Sequence, residues 1–152
     1  MEWLKHFVID QYADAISVNG WTQGASYFKQ TNGQLITECN YLDNQKHRVQ
    51  FRWGINNNKL VGMDTYVNGS LEGIHRTWYI NGRIANDHIY VEDLRHGIQQ
   101  RWYINGRLKY KHNYVDGQKH GIQLGWYNTG HRKYKYNYIN GNKRGKQIKW
   151  CF

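Results

Sequence analysis

The residues of this chain able to do chemistry are its histidines, its two cysteines and a few carboxylates, and their spacing limits what they can do. His88 and His112 stand 24 positions apart, and His47, His96 and His120 form a second set of equivalent positions. Imidazole is the commonest metal ligand and general base, so eight histidines in 152 residues invite a zinc reading. Two ligands of one zinc each need a bond of about 2.1 Å. Residues at equivalent points of neighbouring sheet repeats lie about 10 Å apart, which favours repeated surface histidines over a metal site. Cys39 and Cys151 are separated by most of the chain. A disulfide needs Cα atoms within about 7 Å, so both thiols are expected free, as suits a reducing compartment. Asp87 and Glu38 have no carboxylate partner in a pocket context. No glycine-rich phosphate loop, His-Glu-x-x-His pair or nucleophile elbow is present. The expectation is a protein that is not an enzyme, with no catalytic residue, metal, cofactor or small-molecule substrate.

The elements that position these residues follow from a strict beat. Tyr66, Tyr90, Tyr114 and Tyr138 recur every 24 residues, and Trp78, Trp102, Trp126 and Trp150 each follow 12 later. Tyr41 and Trp53 continue the series backwards, with one extra residue among Asn56, Asn57 and Asn58. A period of this length marks a stacked-repeat protein. Asn81-Gly82, Asn105-Gly106 and Thr129-Gly130 fill one turn slot, and Asn68-Gly69, Asp116-Gly117 and Asn140-Gly141 fill a second. Asn-Gly between alternating apolar runs is the strongest short hairpin signal and predicts type I′ turns in both slots. Sixteen glycines and no proline suit continuous strand pairing. The fold class is therefore all-β, an elongated antiparallel β-hairpin stack in a single-sheet solenoid of about 24 residues per repeat. An N-terminal cap over 1–16 precedes repeats at about 17–40, 41–65, 66–89, 90–113, 114–137 and 138–152. With two strand spacings per repeat, the rod is roughly 50–60 Å long.

Alternation along each strand predicts one packed and one wet face. Val49, Phe51 and Trp53, with Ile98 and Trp102, and Ile122, Leu124 and Trp126, are assigned to the packed side of the first strand. Tyr110, Tyr114, Tyr134, Tyr136 and Tyr138 take that side of the second. The repeat core is expected to be Trp53, Trp78, Trp102, Trp126, Tyr66, Tyr90, Tyr114 and Tyr138. Gln99, Arg101, Lys109 and Lys111 are assigned to the wet side.

The pattern Tyr-x-[Asn/Asp]-Gly-x-x-x-Gly followed by Trp-Tyr-x-[Asn]-Gly stands at Tyr66–Gly73 with Trp78–Gly82, at Tyr114–Gly121 with Trp126–Gly130, and at Tyr138–Gly145 with Trp150. It resembles MORN-type repeats, in the variant found in bacterial antitoxin-like proteins and expanded in large DNA viruses. The resemblance covers about Ser17 to Phe152. Arg48 replaces the second glycine of its copy, Lys29 replaces a tryptophan, Ser17 a tyrosine, and Asp93 a turn glycine. The resemblance implies a structural or scaffolding role with protein or lipid contacts. The richness in Asn, Tyr and Lys looks like viral members and implies a virus-particle or virus-factory component.

Charge is polarised. Residues 95–152 hold 13 Lys and Arg against one acid, Asp116, while residues 1–94 hold 8 against 10, so the two parts carry +12 and −2. Arg101, Lys109, Lys111, Lys119, Lys133, Lys135, Lys143, Arg144 and Lys149 are the candidate anion-binding residues. Such a field attracts nucleic acid, an anionic membrane or an acidic protein surface. Base stacking on Tyr110, Tyr134 and Tyr136 is disfavoured, because the assigned faces hold them away from the lysines. Trp150, Cys151 and Phe152 end the sequence in mid-strand, and an uncovered edge invites strand pairing. A homodimer through this C-terminal edge is therefore expected. The apolar stretch from Trp3 to Ile9 is short and broken by Lys5 and His6, which argues against secretion. No run approaches the roughly 20 apolar residues of a membrane span. The expected location is intracellular or within a virion.

Overall fold

The computed structural model describes residues 7–8, 16–18, 21–30, 34–55 and 57–151. Its 17 strand segments pair antiparallel throughout in one sheet, and the described residues contain no helix. The order is a plain meander. The first segments, β1 (Phe7–Val8) and β2 (Ile16–Val18), both lie against β3 (Trp21–Gln30). The rest of the N-terminal cap lies outside the described residues.

From there each repeat adds two strands. A long second strand recurs as β4 (Leu35–Leu42), β7 (Leu60–Val67), β9 (Ile84–Val91), β12 (Leu108–Val115) and β15 (Arg132–Ile139). The alternate strand is whole in β8 (Ser70–Trp78). Elsewhere it is cut into a two-residue piece and a longer one: β5 (Gln45–Lys46) with β6 (Arg48–Trp53), β10 (Leu94–Arg95) with β11 (Gly97–Trp102), and β13 (Gln118–Lys119) with β14 (Gly121–Trp126). The last copy is β16 (Asn142–Lys143) with β17 (Ile148–Lys149).

The two turn slots differ, which corrects the expectation of type I′ turns in both. Only the slot at 68–69, 92–93, 116–117 and 140–141 has positive φ at both central residues, for example 46° at Asn140 and 76° at Gly141. At Asn81-Gly82, Asn105-Gly106 and Thr129-Gly130 only the glycine is left-handed. There Gly82 N–H donates to Tyr79 O and Tyr79 N–H to Arg83 O, both at 2.8 Å. That is a type I turn closed by a left-handed residue, which builds a bulge into the hairpin. Asparagine suits it for another reason: Asn81 Oδ1 accepts from Arg83 N–H, and its amide donates to Ile104 O in the next repeat. The extra residue of the second copy sits in this slot too, where Gly54 N–H reaches Lys59 O, one residue further than Tyr79 reaches Arg83. Asp93 adopts φ 63° without being glycine, and its carboxylate accepts from Leu71 N–H at 2.7 Å.

The cut in the first strand is a second bulge. His47, His96, His120 and Arg144 occupy it, each donating its N–H to a carbonyl of the preceding long strand, and the next residue is left-handed in every copy. The bulge leaves backbone groups without ladder partners, and an unpaired buried group costs about 1–3 kcal/mol. A glutamine fills the gap. Gln123 Nε2 donates to Asn113 O, His120 O and Gly121 O; Gln99 Nε2 donates to Ile89 O and His96 O. Gln50 and Gln147 act likewise, their Oε1 atoms also accepting from Asn40 N–H and Asn137 N–H. Gln99 and Gln123 are each 1% exposed and are the largest fully buried side chains among the described residues.

The register overturns the face assignment. Gln99 pairs with His112, Arg101 with Tyr110, Gln123 with Tyr136, and Gly125 with Tyr134. Ile98 instead pairs with Asn113, Gln100 with Lys111, and Leu124 with Lys135. The tyrosines therefore share their face with the glutamines and Arg101, and the isoleucines share theirs with the lysines. Among the described residues no second layer covers either face, so the apolar row has nothing there to bury against. Among the described apolar residues only Ala85, Tyr114 and Tyr138 are buried. Of the eight expected core residues these include two, the four tryptophans with Tyr66 and Tyr90 being half-buried.

Candidate functional site

On the aromatic face the rings form a column across the strands. His75 stacks with His88 (centroids 5.9 Å), His88 with Tyr110 (6.3 Å), and Tyr110 with His112 (4.4 Å). His112 then meets Tyr134 at 5.9 Å, and Tyr134 stacks on Tyr136 at 4.9 Å. Glycine makes room for this: a Cβ at Gly125 would stand 2.2 Å from Tyr134 Cε1. Hydrogen bonds tie the column together, His88 Nε2 to Tyr110 Oη at 3.1 Å and His112 Nε2 to Tyr134 Oη at 2.7 Å.

His88 is 7% exposed, so it is not the surface residue expected from its repetition. Burial holds the His88 and His112 imidazoles neutral, each with its pKa lowered to about 4; Arg95 adds to the effect on His88, and Lys119 and Arg95 on His112. Burial likewise pushes the Tyr134 hydroxyl up to about 12. At the column's N-terminal end Asp64 meets His75 Nδ1 and lies 3.1 Å from Arg52. Burial would raise the Asp64 carboxyl, but the His75 hydrogen bond and the Arg52 charge outweigh it and hold it below the usual carboxylate range. His75 stands where later copies have the bulge glutamine, and it pairs with Asp64 on one side and His88 on the other. The ring faces are turned on one another, so the column is a packing device. Among the described residues no group of three or more His, Cys, Asp or Glu could hold a metal ion.

The nine candidate cations divide between the faces. Lys109, Lys111, Lys133 and Lys135 share the isoleucine face, with Lys109 5.3 Å from the Tyr103 ring and Lys133 5.2 Å from the Tyr127 ring. Arg101 and Lys149 fall on the aromatic face, opposite Tyr110 and Tyr134. Lys119 lies over Tyr138 and Lys143 over Tyr136, joined by Arg95 over Tyr114. Arg144 is the exposed bulge residue of the last copy. Arg101 and Lys149 therefore do not extend the lysine surface as expected, because the register places them with the tyrosines.

The isoleucine face holds the apolar exposure. Ile98 is 41% and Ile122 49% exposed, and Val91, Val115 and Ile139 continue the row. Sequence alternation hides this surface, since it assigns Ile98 and Ile122 to the packed side. A further feature went unread although its period was visible. Tyr79, Tyr103 and Tyr127 each donate a hydroxyl hydrogen bond to the carbonyl of the next repeat's tryptophan, Trp102, Trp126 and Trp150, at 2.7 to 3.0 Å.

Of the self-association candidates, Trp150 is held in the ladder by its N–H to Lys133 O, Cys151 is exposed, and Phe152 lies outside the described residues. Cys39 is half-buried, and both cysteines are free. No described helix is long and apolar enough to cross a membrane. Neither a protein-family model nor a curated protein matches the chain.

Proposed function

We propose that this chain is a non-enzymatic, MORN-type repeat module that docks other proteins, using the lysine–isoleucine face of residues 90–139 against an acidic partner. The observation that carries this is the exposed row of Ile98, Ile122, Val115 and Ile139 beside Lys109, Lys111, Lys133 and Lys135, none of which is in an ion pair among the described residues. Contiguous exposed apolar surface next to uncompensated charge is characteristic of protein contact sites. The family resemblance extends the proposal to a scaffold component of a virus particle or virus factory that self-associates through Trp150, Cys151 and Phe152. Purification of native complexes followed by mass spectrometry tests the docking role. We expect an acidic partner that is lost from the Lys109→Glu, Lys135→Glu double variant; retention of every partner by that variant contradicts it. Light scattering of the full chain beside a truncation lacking 149–152 tests self-association, and two monomer masses end that part.

A second reading is a polyanion-binding module for nucleic acid or an anionic membrane. It is supported by the +12 charge of residues 95–152, which places cations on both faces. Such binding weakens steeply with salt through counterion release. Filter binding to duplex DNA across a salt series checks it, and the absence of binding at low salt counts against it.

A further inference from the structure

Six equivalent bulge positions run along the sheet: Gly24, Arg48, Gly73, Gly97, Gly121 and Gly145. All six have positive φ, from 64° at Arg48 to 92° at Gly24. Five are glycine, which adopts this conformation without the steric penalty of a Cβ. Arginine is among the residues least suited to it, so the chain holds a strained backbone at one copy. Strain kept where a common, cheaper residue stands in every sister position points to a local role.

The surroundings of Arg48 give that role a chemistry. Arg48 lines a surface hollow of about 190 Å³ together with Gly24, Asn40, Tyr41, Leu42 and His47. Its side chain is exposed, and among the described residues no carboxylate reaches it. His47 Nδ1 accepts a hydrogen bond from Asn68 N–H at 3.3 Å. A ring nitrogen that accepts carries no proton, so in the neutral ring the hydrogen sits on Nε2, which is then a donor. Two donors, a guanidinium and an imidazole N–H, thus border one hollow, and the described residues of its lining include no carboxylate. Drug-sized ligands occupy about 300–1,000 Å³, so this space suits a single small group. A guanidinium fork matches the oxygens of a phosphate bidentately.

We propose that the hollow beside Arg48 binds one phosphate group, either free or carried on a phosphorylated side chain, with Arg48 and His47 as its donors. The arginine is then retained against its backbone strain because glycine supplies no guanidinium. This inference is independent of the docking face, which lies in residues 90–139.

The test uses the full chain and the Arg48→Gly variant, which restores the residue of the five sister positions and is expected to fold. The His47 Cε1–H resonance is followed while inorganic phosphate, and in a second series O-phosphoserine, is added at constant ionic strength against chloride. For the parent chain we expect a saturable shift of the His47 signal. In Arg48→Gly we expect at least ten-fold weaker binding together with a higher melting temperature. Lys146→Ala, which removes an exposed cation elsewhere, should leave the titration unchanged. Saturation by phosphoserine but not by inorganic phosphate assigns the site to a phosphorylated side chain, and the reverse to the free ion. The proposal is overturned if His47 responds no more to either phosphate than to chloride, if Arg48→Gly binds as the parent does, or if Lys146→Ala weakens binding equally.

Discussion

The two faces of this one-layer sheet are built from the same strands, yet they solve opposite problems. On one, His88, Tyr110, His112, Tyr134 and Tyr136 turn their rings on each other, and Gln99 and Gln123 are sealed beneath them. On the other, Ile98 and Ile122 stand about half exposed among lysines. The usual rule that aliphatic residues mark the inside fails here, because a single layer offers them no opposing surface. Planar rings do better, since neighbours four to six ångströms apart along a column can cover one another without a second sheet. The difference teaches that stability and recognition are segregated by face: the column holds the repeats together, and the aliphatic row is left for another molecule.

The largest expected contrast comes from the two glutamine types. Gln123→Ala strips the partner from the carbonyls of Asn113, His120 and Gly121 and should cost about 2–4 kcal/mol in urea unfolding. Gln100→Ala, one repeat earlier on the lysine face, should stay within about 0.5 kcal/mol. Equal costs would break the comparison. Next is Gly125→Ala. Its methyl group would occupy the space of the Tyr134 ring, and we expect a loss of about 1–3 kcal/mol from the displaced ring, read as a lower melting temperature.

Acid should act on the aromatic face. His88 and His112 have folded pKa values of about 4, against about 6.5 unfolded. Between these limits the unfolded chain binds more protons, so stability is fully present above about pH 6.5 and declines as pH falls towards 4. A series of melting temperatures from pH 7 to 4 checks this, and the His88→Gln, His112→Gln double variant should flatten the slope. The smallest effect on stability is expected for alanine at the exposed Lys111 and Lys135 together. Each exposed charge contributes within about 0.5 kcal/mol, so the melting temperature should barely move while partner or polyanion binding is lost.

Much of the architecture was legible because it rests on local chemistry. The Tyr–Trp beat and the paired turn residues specify a hairpin stack without reference to long-range contacts. The faces were not legible, because hydrophobicity alone puts Ile98 on the side of Tyr110, whereas the ladder pairs Arg101 with that ring. The bulges at His47, His96, His120 and Arg144 do not shift the phase: Arg95 pairs with Tyr90 and Gln100 with Asp87, so each bulge adds two residues and alternation continues unchanged across it without marking which face is covered. The glutamines were read as wet because their role, satisfying carbonyls opened by the bulge, exists only once the bulge does. Lys109, Lys111, Lys133 and Lys135 were placed correctly opposite the tyrosines, since the long second strand runs unbroken.

The central claim is that the histidine–tyrosine column serves as the interior of a sheet that has no second layer. The most direct measurement is an NMR pH titration of the His88 and His112 ring protons in the intact chain. Both should titrate near pH 4, well below free imidazole. Midpoints near 6.5 for the two rings would show them solvated and would contradict the account.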